Sequence, residues 1–378
     1  MSTTPYTRAT MLRPVALLLL LLAPPSALAV ETMRIAMGDS QREVRVSGQG
    51  LSFGPDTEDA RFSPLEQASV VVRRRGSRLE MNGAPVIGNS VRFRAGAGSD
   101  DAGVPGPSPL RAGDMEVRGD VVVRLFKDGL QLINVIPLED YLAAVLGSEM
   151  PVSFPSEALK AQAVAARTYA LQKKLDTYGS PFHMGSSVLH QVYGGLNRED
   201  ARTRAAVEAT RGEVLTYELA PIEAYFHASC GGRTESGHEA LQRELPYLRA
   251  VDCPCGRLPA SRWSVTVSDS ELHAALGQST EGLRVSSRTD THRVNRVVTG
   301  SGHSLDGVTL RRKLGYTKLK SLGFDMERTA GGWHFTGRGY GHGAGLCQWG
   351  AKALADDGLS YRDILLHYYP GTELQQLY

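Results

Sequence analysis

Pro137-Leu-Glu-Asp-Tyr-Leu-Ala-Ala-Val-Leu146, continued by Gly147-Ser-Glu-Met-Pro151, is where the character of the chain changes. Leu138, Tyr141, Leu142, Val145 and Leu146 recur at helical spacing and make one apolar stripe. Pro137 suits a first turn, and Gly147 is the expected stop. Upstream, from Met33 to about Asp128, the pattern is of strands and turns. Glu43–Val46, Ser69–Arg73, Val91–Arg94 and Val121–Phe126 are rich in β-branched residues and alternate in part between apolar and polar. The Gly/Pro/Ser-rich stretch 95–113 is expected to be a surface loop.

Downstream the spacing predicts a helix over about 156–175, in which Ala158, Ala161, Ala163, Ala165 and Ala166 allow a neighbour to approach closely. A further helix is expected near 198–210, then strands at 213–217 and 222–229. Strand-like pieces at 263–267 and 294–298 surround a short helix near 269–276. Helices at about 346–357 and from 360 to before Pro370 close the chain, the second opened by the capping pair Ser360 and Asp363. The expected fold class is α+β, a strand-rich N-terminal portion followed by a mixed helix/sheet domain with a groove. The expected organisation is 1–29 as an export signal, 30–130 as a β-rich accessory region and 131–378 as the chemically active domain.

Lys and Arg number 42 against 40 Asp and Glu over 378 residues. The surplus belongs to Arg8 and Arg13, which precede the apolar run Val15–Ala23, the breaker Pro24-Pro25 and Ala27-Leu-Ala29. That order is the pattern of an export signal with a small-residue cleavage site. An uncleaved signal anchor is the alternative, and the only membrane contact expected. The remaining body is electrically balanced, which excludes the basic footprint of a nucleic-acid protein. An exported destination (periplasm, cell wall or extracellular space) follows. Cys230, Cys253, Cys255 and Cys347 fit an oxidising compartment, where even numbers often pair. Cys253 and Cys255 are too close for an easy mutual bridge, so either could pair with Cys230.

Glu149 is the carboxylate with most chemical promise. It lies between two apolar helices, next to Met150-Pro151, where partial desolvation would raise its pKa toward that of a general acid. A solvated acid at a helix junction is the plainer alternative. Lys160 and Arg167 are seven residues apart, hence on one helix face. Tyr225, His227 and Ser229 share one side of the expected strand, and Gly231-Gly232 permits a turn. The glycine-rich block 337–350 leads to a helix N-terminus suited to an anion or a ligand carbonyl, but has neither a P-loop nor a dinucleotide pattern. His227, Cys230, His238, Cys253 and Cys255 are soft ligands whose spacing fits no standard zinc motif. No cofactor is expected, structural zinc being the unfavoured alternative.

Val135-Ile-Pro-Leu-Glu-Asp-Tyr-Leu142, Ser148-Glu-Met-Pro151 and Ala158–Ala170 resemble the stage II sporulation protein D / amidase enhancer family. So do Gln191-Val-Tyr-Gly-Gly195, Tyr225…Cys230-Gly-Gly-Arg-Thr234, Leu319–Phe324 and Gly337–Ala351. The likeness runs in order from about residue 131 to the C-terminus. It implies a lytic transglycosylase that cleaves MurNAc–GlcNAc bonds of denuded peptidoglycan strands and leaves 1,6-anhydro-MurNAc ends, with Glu149 as the catalytic acid. It further implies that Lys160, Arg167, Tyr225, His227, His342 and Gln348 line the substrate groove. The alternative implied role is a non-catalytic, glycan-binding partner of a cell-wall amidase. Some members bind zinc through a Cys-rich segment before the Gln-Val-Tyr motif. Phe182–Gln191 here has His183 and His190 but no Cys, so that zinc is not carried over. Cys347 stands where Ser is commoner.

Overall fold

The computed structural model describes residues 31–99, 105–186 and 191–378; the expected export signal and His190 lie outside them. The chain from Glu31 to Tyr378 forms one contact unit. Its N-terminal part is two large antiparallel-rich sheets beside a two-stranded one, Ala97–Ser99 with Pro105–Pro107. In the larger, Gly129–Pro137 is central, between Thr32–Gln41 and Asp120–Phe126, and is followed outward by Ser90–Arg94, Ser52–Gly54 and Ser63–Pro64. Met184–Gly185 adds in parallel to the other edge. The second sheet orders Met115–Val117, Leu110–Ala112, Glu43–Gly48, Ser69–Arg75, Arg78–Met81 and Ala84–Pro85. All four expected N-terminal strands are present. Their alternation explains the packing: Val121 and Val123 join Val44, Val46, Val70 and Val72 in the main core. Val122 turns to the opposite face with Ile133 and Val135.

The segment expected as a surface loop departs from that expectation. Leu110–Ala112 pairs with Glu43–Gly48, and Leu110 and Ala112 are buried. Alternation over three residues was too short to stand out among the prolines and glycines.

Among the described residues the helices are α1 (Leu138–Glu149), α2 (Ser156–Asp176), α3 (Ala201–Glu208), α4 (Gly237–Leu241), α5 (Asp269–Leu276), α6 (Gly307–Leu314), α7 (Gln348–Asp356) and α8 (Tyr361–Tyr368). Central strand 129–137 runs directly into α1, so the boundary expected at 130/131 falls inside a strand. Residues on both sides of it share one core, Leu130 and Leu132 with Leu142, Val145 and Ala163. Helix α1 also passes through Gly147, the expected stop, and ends at Glu149. Gly147 serves close approach instead: a Cβ there would lie 1.8 Å from the Arg198 carbonyl oxygen. Glu149 is therefore the last residue of a helix and not part of a free connection.

Segment 262–338 builds a second core of its own. Trp263, Val267, Leu272, Val294, Leu310, Phe324 and Phe335 pack together, contributed by two three-stranded sheets with α5 and α6. The strand expected at 222–229 shrinks to Phe226–His227, which pairs in parallel with Leu346–Cys347. Its partner is only two residues long, so the ladder ends there.

Candidate active site

The end of α1 brings Glu149 to the wall of a cavity of about 510 Å³. One wall is the segment Tyr225–Ala228, a second is Tyr340–His342, and α6 with Tyr316, Thr317 and Leu322 supplies a third from the second core. Glu149 is half-buried. Among the described residues it is the sole carboxylate lining this cavity. Burial pushes its pKa above the ordinary 4.5, opposed by hydrogen bonds from the Val192 N–H and the Gln348 amide. The negative end of α1 acts in the same direction as burial, since it disfavours an anion. A carboxyl so placed keeps its proton to higher pH than a solvated one and can give it to a ligand oxygen.

The Gln191-Val-Tyr motif has a positional meaning here. The Gln191 side chain accepts from Tyr141 Oη (2.9 Å) and donates to the Ala166 carbonyl (3.1 Å). Tyr193 Oη donates to Asn134 Oδ1 (2.7 Å). Between these anchors the Val192 N–H is delivered to Glu149 Oε1 at 2.7 Å. From the other side Gln348, at the start of α7, points its buried amide at the same carboxyl.

His227 and His342 stand together, ring centroids 5.4 Å apart. His342 Nε2 faces the Phe226 carbonyl at 2.9 Å while its Nδ1 accepts from the Ala344 N–H at 3.1 Å, so the proton belongs on Nε2. His227 Nδ1 faces the Ala344 carbonyl at 3.1 Å, and its buried Nε2 has no protein partner. That nitrogen is a bare acceptor on a residue that lines the cavity. Burial holds both rings neutral: His342 is pushed down to about 4, and His227 lies well below its usual value. The Tyr225 ring packs edge-on against His342, and its hydroxyl donates to Glu223.

Lys160 and Arg167 correct the sequence expectation, because neither lines the cavity. Lys160 Nζ sits 2.7 Å from Glu157 and over the Tyr361 ring. Arg167 is fully buried: Nε and Nη2 donate to Glu139 at 2.9 and 2.6 Å, and other donors reach the Val207 and Glu213 carbonyls. Shared spacing on a helix fixes a common face, but it does not say whether that face meets ligand or another helix. The cation that does line the cavity is Arg311, which the sequence reading missed. It donates to the Leu319 and Lys320 carbonyls at 2.8 Å and lies over the Tyr316 ring. Its signal was weak, one of three adjacent basic residues on a short helix.

A second cavity, about 730 Å³, is lined by Arg233, Arg262, Arg288, Arg293 and Arg338, and its one carboxylate, Asp325, is taken by Arg288 at 2.7 Å. It offers charge but no free acid. The four cysteines are unbridged, and their sulfurs converge behind the histidine wall. His183 accepts from the Arg34 N–H, and His238 pairs with Glu244 at the surface; neither joins that cluster.

Sequence comparison places this arrangement. A family model described as "SpoIID: Stage II sporulation protein" matches residues 126–217, the stretch that carries α1, α2 and the Val192 donor. Stage II sporulation protein D of Bacillus amyloliquefaciens is 36% identical over 277 residues, covering 68% of this chain and 79% of that protein. The same-named protein of Bacillus subtilis is 33% identical over 276 residues, with the same coverage. An amidase enhancer of Bacillus subtilis is 32% identical over 291 residues, 62% of this chain and 40% of that one. The chain belongs to the stage II sporulation protein D family.

Proposed function

We propose that this protein is an exported peptidoglycan lytic transglycosylase in which Glu149 alone serves as acid and then base. The observation that carries this is a single desolvated carboxyl, held by the Val192 N–H and the Gln348 amide, on a cavity with no second acid among the described residues. Hydrolytic glycosidases need two carboxylates, one as acid and one to activate water or attack the sugar. A transglycosylase needs one. Protonated Glu149 gives its proton to the glycosidic oxygen as the C1–O bond breaks. The resulting carboxylate then takes the proton of the sugar's own C6 hydroxyl as that oxygen bonds to C1, closing the 1,6-anhydro ring and regenerating the acid.

Tyr225 and Tyr340, the latter 41% exposed, line the same cavity and are suited to contact a pyranose ring. Incubation with denuded glycan strands, followed by mass spectrometry, tests the proposal: wild type should release 1,6-anhydro ends and Glu149→Gln should not. The name of the amidase enhancer relative supports a second reading, a glycan-binding partner that stimulates an amidase without cleaving. If wild type and Glu149→Gln release equally little yet both stimulate an amidase, the enzymatic reading is lost.

A further inference from the structure

The four cysteines take no part in the glycan chemistry, yet the fold goes to some length to gather them. Cys230 lies three residues beyond the short strand that carries His227 and precedes the Gly231-Gly232 turn. Cys253 and Cys255 flank Pro254 at a 3-10 turn, and Cys347 caps α7. All four are at most 7% exposed, and their sulfurs lie within 4.8 Å of one another. A tetrahedral ion with metal–sulfur bonds of about 2.3 Å would set sulfurs roughly 3.8 Å apart. The observed spread brackets that value, with Cys230 and Cys255 Sγ at 3.3 Å.

The shell around the sulfurs is one of donors. The Cys230 and Gly350 N–H groups each donate to Cys347 Sγ at 3.3 Å, and Ser229 Oγ donates to Cys255 Sγ at 3.6 Å. Tyr368 Oη lies 3.1 Å from Cys253 Sγ. Cys347 also sits at the positive end of α7. Such donors stabilise thiolates and orient them as ligands, and are the usual second layer of a metal site. Gly350 is fitted to this crowding, since a Cβ there would come within 2.3 Å of Cys253 Sγ.

We propose that Cys230, Cys253, Cys255 and Cys347 form a closed four-thiolate zinc site. Two disulfides are the competing fate of four cysteines in an exported protein. Mutual convergence on one point, in place of two separate pairs, favours a single ion, and a Cys-Pro-Cys pair that bridges poorly ligates well. Sulfur tetrahedra take zinc or iron. A fully enclosed site whose only task is to hold chain segments suits the redox-inert ion. Each thiol that becomes a ligand releases its proton to solvent. The site would lock three segments that form or support the histidine wall, and Gln348, which faces Glu149, directly follows one of its ligands.

The proposal stands independently of glycan cleavage, because its primary readouts are metal and thiols. The full chain is purified with a phosphine reductant, supplied with zinc, dialysed and assayed by elemental mass spectrometry. About one zinc ion per chain is expected. The thiols should resist a thiol reagent until a chelator is added, and Co²⁺ exchange should give thiolate-to-cobalt charge-transfer bands. The double variant Cys230→Ser/Cys255→Ser should lose metal by more than about tenfold, whereas Cys253→His, which keeps a ligand, should retain it. Because the serine variant can fail to fold, the cobalt spectrum and thiol count of the wild type decide independently. A reduced, cooperatively melting chain without zinc, a site filled by iron, or two disulfides in metal-free protein from an exporting host would each overturn the assignment.

Discussion

Replacing Arg167 by Met should cost stability and leave ligand affinity alone. The guanidinium is fully buried and holds Glu139 through paired bonds at 2.6 and 2.9 Å, so its removal strands an anion in the core. Breaking a buried ion pair from one side costs about 3–5 kcal/mol. The unit that unfolds, Glu31–Tyr378, has an unfolding entropy of roughly 0.7 kcal/mol/K at ordinary per-residue values. The expected fall in melting temperature is therefore about 4–7 °C, read by scanning calorimetry. Glu139→Gln combined with Arg167→Met should recover part of it, since a neutral amide tolerates burial better than an unpaired carboxylate. The sign with pH is fixed as well. Burial alone would raise the Glu139 pKa, but Arg167 holds it below 4.5. The pair's contribution is thus present above that ordinary value and lost as pH falls through the depressed one. At a temperature where every variant is folded, affinity for denuded glycan strands should stay within about twofold of wild type. An Arg167→Met protein that melts normally but loses glycan affinity would refute the assignment of Arg167 to the core.

Glu149→Gln should raise thermal stability at neutral pH: the wild-type carboxyl has a raised folded pKa, so its contribution is full below 4.5 and lost as pH climbs through the raised value. The gain should vanish in acid, which a melting series across pH reads directly. His342 works in the opposite sense, because its folded pKa is depressed to about 4 from 6.5. Wild-type stability should decline as pH falls from 6.5 toward about 4, and His342→Asn should flatten that slope. Gln191→Ala should cost about 1–3 kcal/mol by leaving the buried Tyr141 Oη unpaired, and lower turnover by freeing the loop that carries the Val192 N–H. Because the described lining of the cavity carries one cation, Arg311, and one carboxyl, Glu149, glycan binding should depend only weakly on salt, as affinity at rising chloride concentration will report.

Much of the fold was legible because it follows local periodicity. The strands around Val44, Val70, Val91 and Val121 alternate visibly, and the stripe from Leu138 to Leu146 could be little but a buried helix. Failures came where a long-range neighbour decided the outcome. Gly147 looked like a helix stop but answers to the Arg198 carbonyl, fifty-one residues away. Leu110–Ala112 is a strand because an edge elsewhere accepts it. The site divides in the same way. Glu149 could be singled out from its apolar, proline-bounded setting, whereas Arg311 reaches the cavity only through a separately cored segment that no local pattern announces. Arg167 was misplaced because a charged residue in an alanine-rich helix gives no sign of a distant Glu139 waiting to bury it.

The donor that reaches Glu149 from position 192 belongs to the backbone. Backbone is indifferent to the side chain it carries, so that position can drift among residue types without unsettling the acid. Proline alone, having no N–H, would withdraw the contact. Evolutionary constraint therefore shifts to the flanking anchors, Gln191 and Tyr193, which never touch the carboxyl themselves. In a set of related sequences, the residue closest to the acid should be the freest of the three.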